Sequence, residues 1–128
     1  MTIWYLDYEN CNSATVLDLL VDEVKKGDTV IAFYSSTNPN VPFRFLRRLE
    51  ENGGKLKVLN CFNGSKNAMD FQIVMELAYN CATMKPAKHR VYSKDTGYII
   101  PLKSWSQKGY DVGLVSPSEH DKTTVTYT

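Results

Sequence analysis

The stretch that decides the fold is Ile3-Trp4-Tyr5-Leu6-Asp7-Tyr8-Glu9-Asn10, in which four apolar residues are followed at once by a carboxylate. A short apolar run of this kind predicts a buried strand. Open α/β sheets bind their ligands in the crevice at the carboxyl ends of the strands. The acid Asp7 therefore stands where a ligand is expected.

Four further apolar runs predict strands, and amphipathic segments between them predict helices. The strands are expected at Thr29 to Tyr34, Leu56 to Leu59, Arg90 to Ser93 and Val112 to Val115. The first helix carries apolar residues from Val16 to Val24, with Ser13 as its cap and Gly27 as its C-terminal glycine. The others are expected from Pro42 to the Gly53-Gly54 stop, from about Ser65 to Cys81, and from about Ile99 to Gln107, ended by Gly109.

This alternation of strand and helix predicts a three-layer α/β/α sandwich around a central, mainly parallel sheet of about five strands. The 128 residues suffice for one domain. We assign it to residues 1–116, and we expect residues 117–128 to form a C-terminal tail that adds an edge strand or stays disordered.

The composition predicts an ordinary soluble protein of the cytoplasm. Hydrophobic residues make up 43% and charged residues 23% of the chain, with a net charge of +1. The three cysteines are widely spaced and form no C-x-x-C pair, which argues against a zinc site or a disulfide framework. No run of about eighteen apolar residues predicts a membrane span.

Three acids stand at strand ends or at a helix start: Asp7, Asp70 and Asp95. Asp70 begins a helical stripe that continues through Ile73 and Leu77 to Cys81. Two carboxylates about 4 Å apart repel by about 4 kcal/mol at an effective dielectric near 20, so clustering them favours a bound cation. An all-oxygen site suits Mg²⁺ or Mn²⁺, whereas zinc prefers histidine or cysteine.

Each acid also has a purely structural interpretation. Asp70 can complement the helix N-terminus, Asp7 can belong to a turn around Asn10, and Asp95 can form an Asx turn before a permissive Gly97. The histidines, His89 and His120, are interpreted as surface or structural residues.

The chain resembles a PIN-like (NYN-type) ribonuclease domain in three motifs that occur in order. These are Asp-x-x-Asn at Asp7 to Asn10, the helix start Lys66-Asn67-Ala68-Met69-Asp70-Phe71, and Ser93-Lys94-Asp95-Thr96-Gly97-Tyr98. The resemblance covers Ile3 to about Val115. It implies a metal-dependent endoribonuclease that hydrolyses single-stranded RNA with Mg²⁺ or Mn²⁺ and leaves 5′-phosphates.

The same resemblance implies roles for individual residues. Asp7, Asp70 and Asp95 would be metal ligands and Glu9 an extra ligand, while Asn10 would orient Asp7 or a bound water. Ser93 would support the Asp95 loop.

One departure concerns a fourth acid, which many relatives place two to four residues beyond the Asp95 position. Here those positions hold Gly97, Tyr98 and Ile99, and Glu9 or Asp111 are the candidate substitutes. The alternative to an enzyme is therefore a catalytically weakened PIN-like domain that serves as an RNA-binding or protein-interaction module. A homodimer or a protein partner is left open, and no membrane partner is expected.

Basic and aromatic side chains suggest an RNA surface. Arg44, Arg47 and Arg48 share one helical face, and Lys66 and Lys94 flank the acidic motifs; all five are candidate nucleic-acid-binding residues. A solvated helix face explains the arginines equally well. Tyr8, Tyr34 and Tyr98 are candidates for base stacking or for capping the core.

Two other α/β families fit poorly. A phosphorelay receiver needs an aspartate at the end of the third strand, where this chain has Leu59-Asn60-Cys61, and a lysine at the end of the fifth, where it has Val115-Ser116. A dinucleotide-binding fold needs a G-x-G-x-x-G motif after the first strand, and none is present.

Overall fold

The computed structural model describes residues 1–35, 40–62 and 67–117, and the backbone of residues 122–127. The strands are β1 (Thr2–Asp7), β2 (Thr29–Tyr34), β3 (Lys55–Asn60), β4 (Lys88–Tyr92), β5 (Asp111–Pro117) and β6 (Lys122–Tyr127). The helices are α1 (Ala14–Glu23), α2 (Phe43–Glu51), α3 (Ala68–Thr83) and α4 (Ile99–Ser106), and a 3-10 turn spans Thr96–Tyr98.

One sheet joins all six strands in the order β3-β2-β1-β4-β5-β6. The first five are parallel, whereas β6 runs antiparallel to β5. The predicted sandwich with a mainly parallel sheet is confirmed.

The side chains of β1 alternate between the two faces of the sheet, as the period of two requires. Trp4 and Leu6 belong to a core shared with α1 and α2. Ile3 and Tyr5 belong to a second core, shared with α3 and α4. The two cores are the two interfaces of an α/β/α sandwich.

The strand order places a crevice between β1 and β4. From β1 the chain builds outward through β2 to β3, and it then crosses to the other side of β1 to form β4. Ligands of open α/β sheets bind at such a reversal, outside the carboxyl ends of the strands. Asp7 ends β1 and Ser93 follows β4 directly, so both residues lie at this point.

Local signals placed most helix ends well. Ser13 caps α1 by accepting a hydrogen bond from the amide of Val16, and Gly53 follows α2 with a φ of 78°, the left-handed conformation that glycine favours. The prediction that Gly27 closes α1 is wrong, because the helix ends at Glu23. The buried carboxylate of Asp28 accepts a hydrogen bond from the amide of Lys25 and organises a separate loop there.

The start of α3 differs slightly from the expected one. The helix begins at Ala68, whereas the predicted start, Ser65, lies outside the described residues. None of the helices in the described ranges is both long and apolar enough to cross a membrane.

Candidate metal centre

Asp7 is buried because the side chains of β1 alternate between the two faces of the sheet. It lies on the same face as Ile3 and Tyr5, which α3 covers, and it is fully buried. A buried carboxylate loses its hydration and needs compensating partners. The surroundings of its two oxygens therefore decide what this position can do.

The two carboxylate oxygens of Asp7 have unequal surroundings. Oδ2 accepts hydrogen bonds from Asn10 Nδ2 at 2.8 Å and from Ser93 Oγ at 3.0 Å. Oδ1 is buried without any hydrogen-bond partner among the described residues. The described residues thus hold Oδ2 in place and offer no hydrogen bond to Oδ1.

Asp70 and Asp7 are bridged by the hydroxyl of Tyr98. Asp70 stands in the first turn of α3, and the Tyr98 hydroxyl donates to its Oδ1 at 3.0 Å. The same hydroxyl lies 3.4 Å from Asp7 Oδ2. A phenol has a single hydrogen to donate, so the shorter bond to Asp70 dominates and the contact with Asp7 is weak.

Asp95 is positioned by the turn that follows β4. Its Oδ1 accepts from the amide of Gly97 at 2.8 Å, and its own amide donates to Ser93 Oγ at 3.0 Å. Ser93 therefore joins two acids, because it donates to Asp7 and accepts from the Asp95 backbone. The Asx turn expected from the sequence is present, but Gly97 does not adopt a positive φ. The glycine provides space instead, since a Cβ there would lie 3.1 Å from Asp95 Oδ1.

Asp70 and Asp95 interact directly. Burial, followed by a side-chain hydrogen bond with Asp95, raises the pKa of Asp70 above its ordinary value. A hydrogen bond between two carboxyl groups requires a proton on one of them. The neighbouring carboxyl groups therefore disfavour the ionised form of Asp70.

Tyr98 is the residue of this cluster for which the sequence left two interpretations open. It is 1% exposed and packs in the core on the α3 side of the sheet, so it caps the core and does not stack on an unpaired base. Burial and the charge of Asp7 raise its pKa far above the ordinary 10.0 and keep its hydroxyl protonated as a donor. One signal in the sequence could have indicated a place in the site: Tyr98 occupies one of the three positions, 97 to 99, at which many relatives carry a fourth acid.

The three acids do not form a ready-made cage. Among the residues that the structure describes, no group of three or more histidine, cysteine, aspartate or glutamate side chains is arranged to hold a metal ion. Asp7 reaches the Asp70 and Asp95 pair through Tyr98 and Ser93 rather than by direct contact. All three nevertheless surround the same crevice.

The two candidate substitutes for a fourth acid lie elsewhere or are engaged. Glu9 accepts hydrogen bonds from the amide and the hydroxyl of Ser35, after β2. Asp111 begins β5, at the opposite end of the sheet, and forms an ion pair with Arg90 at 2.9 Å. Asp111 therefore cannot join the centre, and that suggestion is wrong.

The basic residues fall into two groups. Arg44 and Arg48 pair with Asp18, Arg48 also pairs with Asp22, and Arg47 pairs with Glu51, all at or near the α1 and α2 layer. Lys94 is exposed beside Asp95, whereas Lys66 lies outside the described residues. The binding of phosphates by these side chains stays a prediction.

The histidines do not contribute to the centre in the described part of the chain. His89 is buried, and its Nδ1 lies 2.8 Å from the Tyr5 hydroxyl near the other end of the sheet. This agrees with the structural role expected for it. His120 lies outside the described residues.

Comparison with known proteins gives one clear result. The family model for the PIN domain matches residues 1–114, nearly all of the parallel part of the sheet. No curated protein and no solved structure is significantly similar to the chain. PIN domains are generally metal-dependent nucleases. Because the match covers most of the chain, the chain belongs to the PIN domain family.

Proposed function

We propose that this protein is a metal-dependent endoribonuclease that cleaves single-stranded RNA, with Asp7, Asp70 and Asp95 as the ligands of Mg²⁺ or Mn²⁺. Membership of the PIN domain family supports a metal-dependent nuclease. The assignment of the three metal ligands depends on the arrangement of the acids around the crevice.

The observation that carries the proposal is that Oδ1 of Asp7 has no hydrogen-bond partner among the described residues. A fully buried carboxylate oxygen without a donor is unfavourable by several kcal/mol unless something compensates its charge. A divalent cation compensates that charge and also relieves the repulsion between Asp70 and Asp95. The donor set, made of carboxylate oxygens with no histidine nearby among the described residues, suits Mg²⁺ or Mn²⁺.

The surrounding residues would prepare the acids for this task. Asn10 and Ser93 hold Oδ2 of Asp7, and Oδ1, which has no partner among the described residues, stays available to a ligand. Tyr98 holds one oxygen of Asp70, and the Gly97 amide holds one oxygen of Asp95. Each carboxylate thus has one oxygen restrained by the protein, as pre-organised metal sites require.

A divalent cation bound here would act as a Lewis acid toward the phosphodiester and lower the pKa of a bound water. Exposed Lys94 would attract the RNA backbone toward the acids. Glu9, held by Ser35, would contribute as an outer ligand only if that contact opened.

The experiment is cleavage of a 5′-labelled single-stranded RNA with and without Mn²⁺ or Mg²⁺. Asp7→Asn, Asp70→Asn and Asp95→Asn should each abolish the metal-dependent cleavage, and the products should carry 5′-phosphates. Asp111→Asn makes the same chemical change at the opposite end of the sheet and serves as the matched control. Equal cleavage by all five proteins would exclude the assignment.

A second candidate is a PIN domain that binds RNA or protein with weakened catalysis. The missing fourth acid and the lack of a ready-made cage among the described residues favour it. RNA binding without any metal-dependent cleavage in the same experiment would select this alternative.

A further inference from the structure

A groove of about 360 Å³ opens between the end of β3 and α3. Its inner wall includes Phe33 and Cys61, and its outer wall includes Met75, Glu76 and Tyr79 of α3. This volume lies near the lower end of the range for small-ligand pockets, about 300 to 1,000 Å³. The groove lies outside the acid cluster but on the same face of the sheet.

The groove lies beside the candidate metal centre. Phe33, which lines the groove, is the register partner of Asp7 across β1 and β2, and burial together with the charge of Asp7 raises the pKa of Cys61. On α3, Glu76 and Tyr79 follow Asp70 by about two turns. A nucleotide whose phosphate reaches the acids therefore has this groove beside it.

The walls of the groove suit a flat aromatic ring. Met75 and Tyr79 are 69% and 64% exposed although both are large and apolar. Phe33 is almost fully buried behind them. Unpaired bases stack on such side chains with little dependence on sequence, so the apolar part of the groove explains base binding but not base choice.

Base choice would come from Glu76. This residue is half-buried in α3, and its carboxylate has no hydrogen bond or ion pair with any described residue. An ionised carboxylate only accepts hydrogen bonds. It therefore favours a base that offers adjacent N–H donors, and guanine offers two of them, N1–H and the N2 amino group, on one edge.

The opposite wall complements this choice. Asn60 lines the groove at the end of β3, and its amide can donate to an acceptor such as guanine O6. Uracil offers a single N–H between two carbonyl oxygens, so it would place an acceptor against the carboxylate.

We propose that this groove binds an unpaired guanine base next to the scissile phosphate, with Glu76 as the residue that determines specificity. The location rests on the proposed nuclease function, but the recognition step does not require cleavage. The two are therefore tested separately.

The test is the affinity of the full chain, in EDTA, for fluorescein-labelled octauridylate RNA that carries one internal guanosine or one internal inosine. Inosine lacks only the N2 amino group. We expect the guanosine strand to bind about tenfold more tightly than the inosine strand, since the loss of one hydrogen bond to a charged acceptor gives discrimination of this order. In Glu76→Gln this guanosine-to-inosine affinity ratio should fall toward one, because a neutral amide oxygen accepts more weakly than a carboxylate and the amide N–H groups oppose N1–H of the base.

Glu50→Gln removes the same charge from an exposed position on α2 and serves as the matched control. The ratio should stay at the wild-type value in this variant. The comparison of guanosine with inosine on the wild-type chain needs no substitution, so it holds even if a variant folds poorly.

Equal affinity for the two strands in the wild type, or a ratio that persists in Glu76→Gln, overturns the proposal. If Mn²⁺-dependent cleavage is present but the ratio is one, only the guanine site fails; if cleavage is absent and the ratio is tenfold, only the nuclease function fails. A wild-type dimer in sedimentation that Tyr79→Ala converts to a monomer assigns the groove to a second copy of the chain and also overturns it.

Discussion

Replacing Tyr98 with phenylalanine isolates the hydroxyl that connects the acids. The substitution removes one buried oxygen and the donor of the 3.0 Å bond to Asp70 Oδ1, while the ring keeps its place in the core beside Leu102. A hydrogen bond to a charged group contributes about 1.5–3 kcal/mol. Asp70 is partly exposed, so water replaces part of the lost bond, and we expect about 1–2 kcal/mol less stability.

In a chain of this length, each kcal/mol lowers Tm by about 4 °C, so Tyr98→Phe should lower Tm by about 4–8 °C at neutral pH. Urea unfolding and thermal unfolding, both without divalent ions, measure the two quantities. Tyr110→Phe is the matched control, because the Tyr110 hydroxyl has no hydrogen-bond partner among the described residues and its ring packs against Trp105. Its effect should stay within about 0.5 kcal/mol.

The reasoning is refuted if Tyr98→Phe is as stable as the wild type or more stable. Such a result would mean that the hydroxyl does not compensate the charge of Asp70 in the folded protein.

Three further predictions test other parts of the structure. Burial holds the pKa of His89 below its ordinary 6.5, so the folded chain binds fewer protons than the unfolded chain just below that pH. The free energy of unfolding in urea should be highest above pH 6.5 and should fall as the pH drops through the lowered pKa. His89→Gln should flatten this dependence, and a rise in stability on acidification would contradict it. Gly54→Ala should cost about 1–3 kcal/mol in urea unfolding through overpacking, because its Cβ would lie 2.7 Å from a methyl group of Val24; a loss below about 0.5 kcal/mol would contradict the packing there. Gly97→Ala should weaken Mn²⁺ binding in calorimetry with little change in Tm, since its Cβ would lie 3.1 Å from Asp95 Oδ1 and crowd that carboxylate, and an unchanged affinity would show that this contact does not control metal binding.

Much of the fold could be predicted because its signals are local. The apolar run from Thr29 to Tyr34 coincides with β2, and the Ser13 cap and the Gly53 stop mark helix ends through short-range hydrogen bonds and backbone conformation. Gly27 misled the prediction of the end of α1, because the carboxylate of Asp28, a long-range partner of the Thr2 amide, set that loop.

The candidate site was predictable only in part. Asp7 and Asp95 could be placed at strand ends, and strand ends of a parallel sheet meet at one edge. The ion pair of Asp111 and the hydrogen bonds of Tyr98 could not be predicted from the sequence. Asp111 pairs with Arg90 at the far end of the sheet. The Tyr98 hydroxyl contacts Asp70, which is 28 positions away in the sequence, and Asp7, which is 91 positions away.

The amino-acid sequence by itself determined the alternation of strands and helices, the family and the positions of the acids along the chain. Periodicity, helix caps and strand ends depend on neighbours within a few residues, so they can be predicted from the sequence alone. Only the tertiary structure decided that one oxygen of Asp7 has no partner among the described residues, that Tyr98 bridges the acids, and that a groove on α3 opens beside them. These features depend on side chains far apart in sequence, and their positions follow from the strand order and the packing of α3 on the sheet.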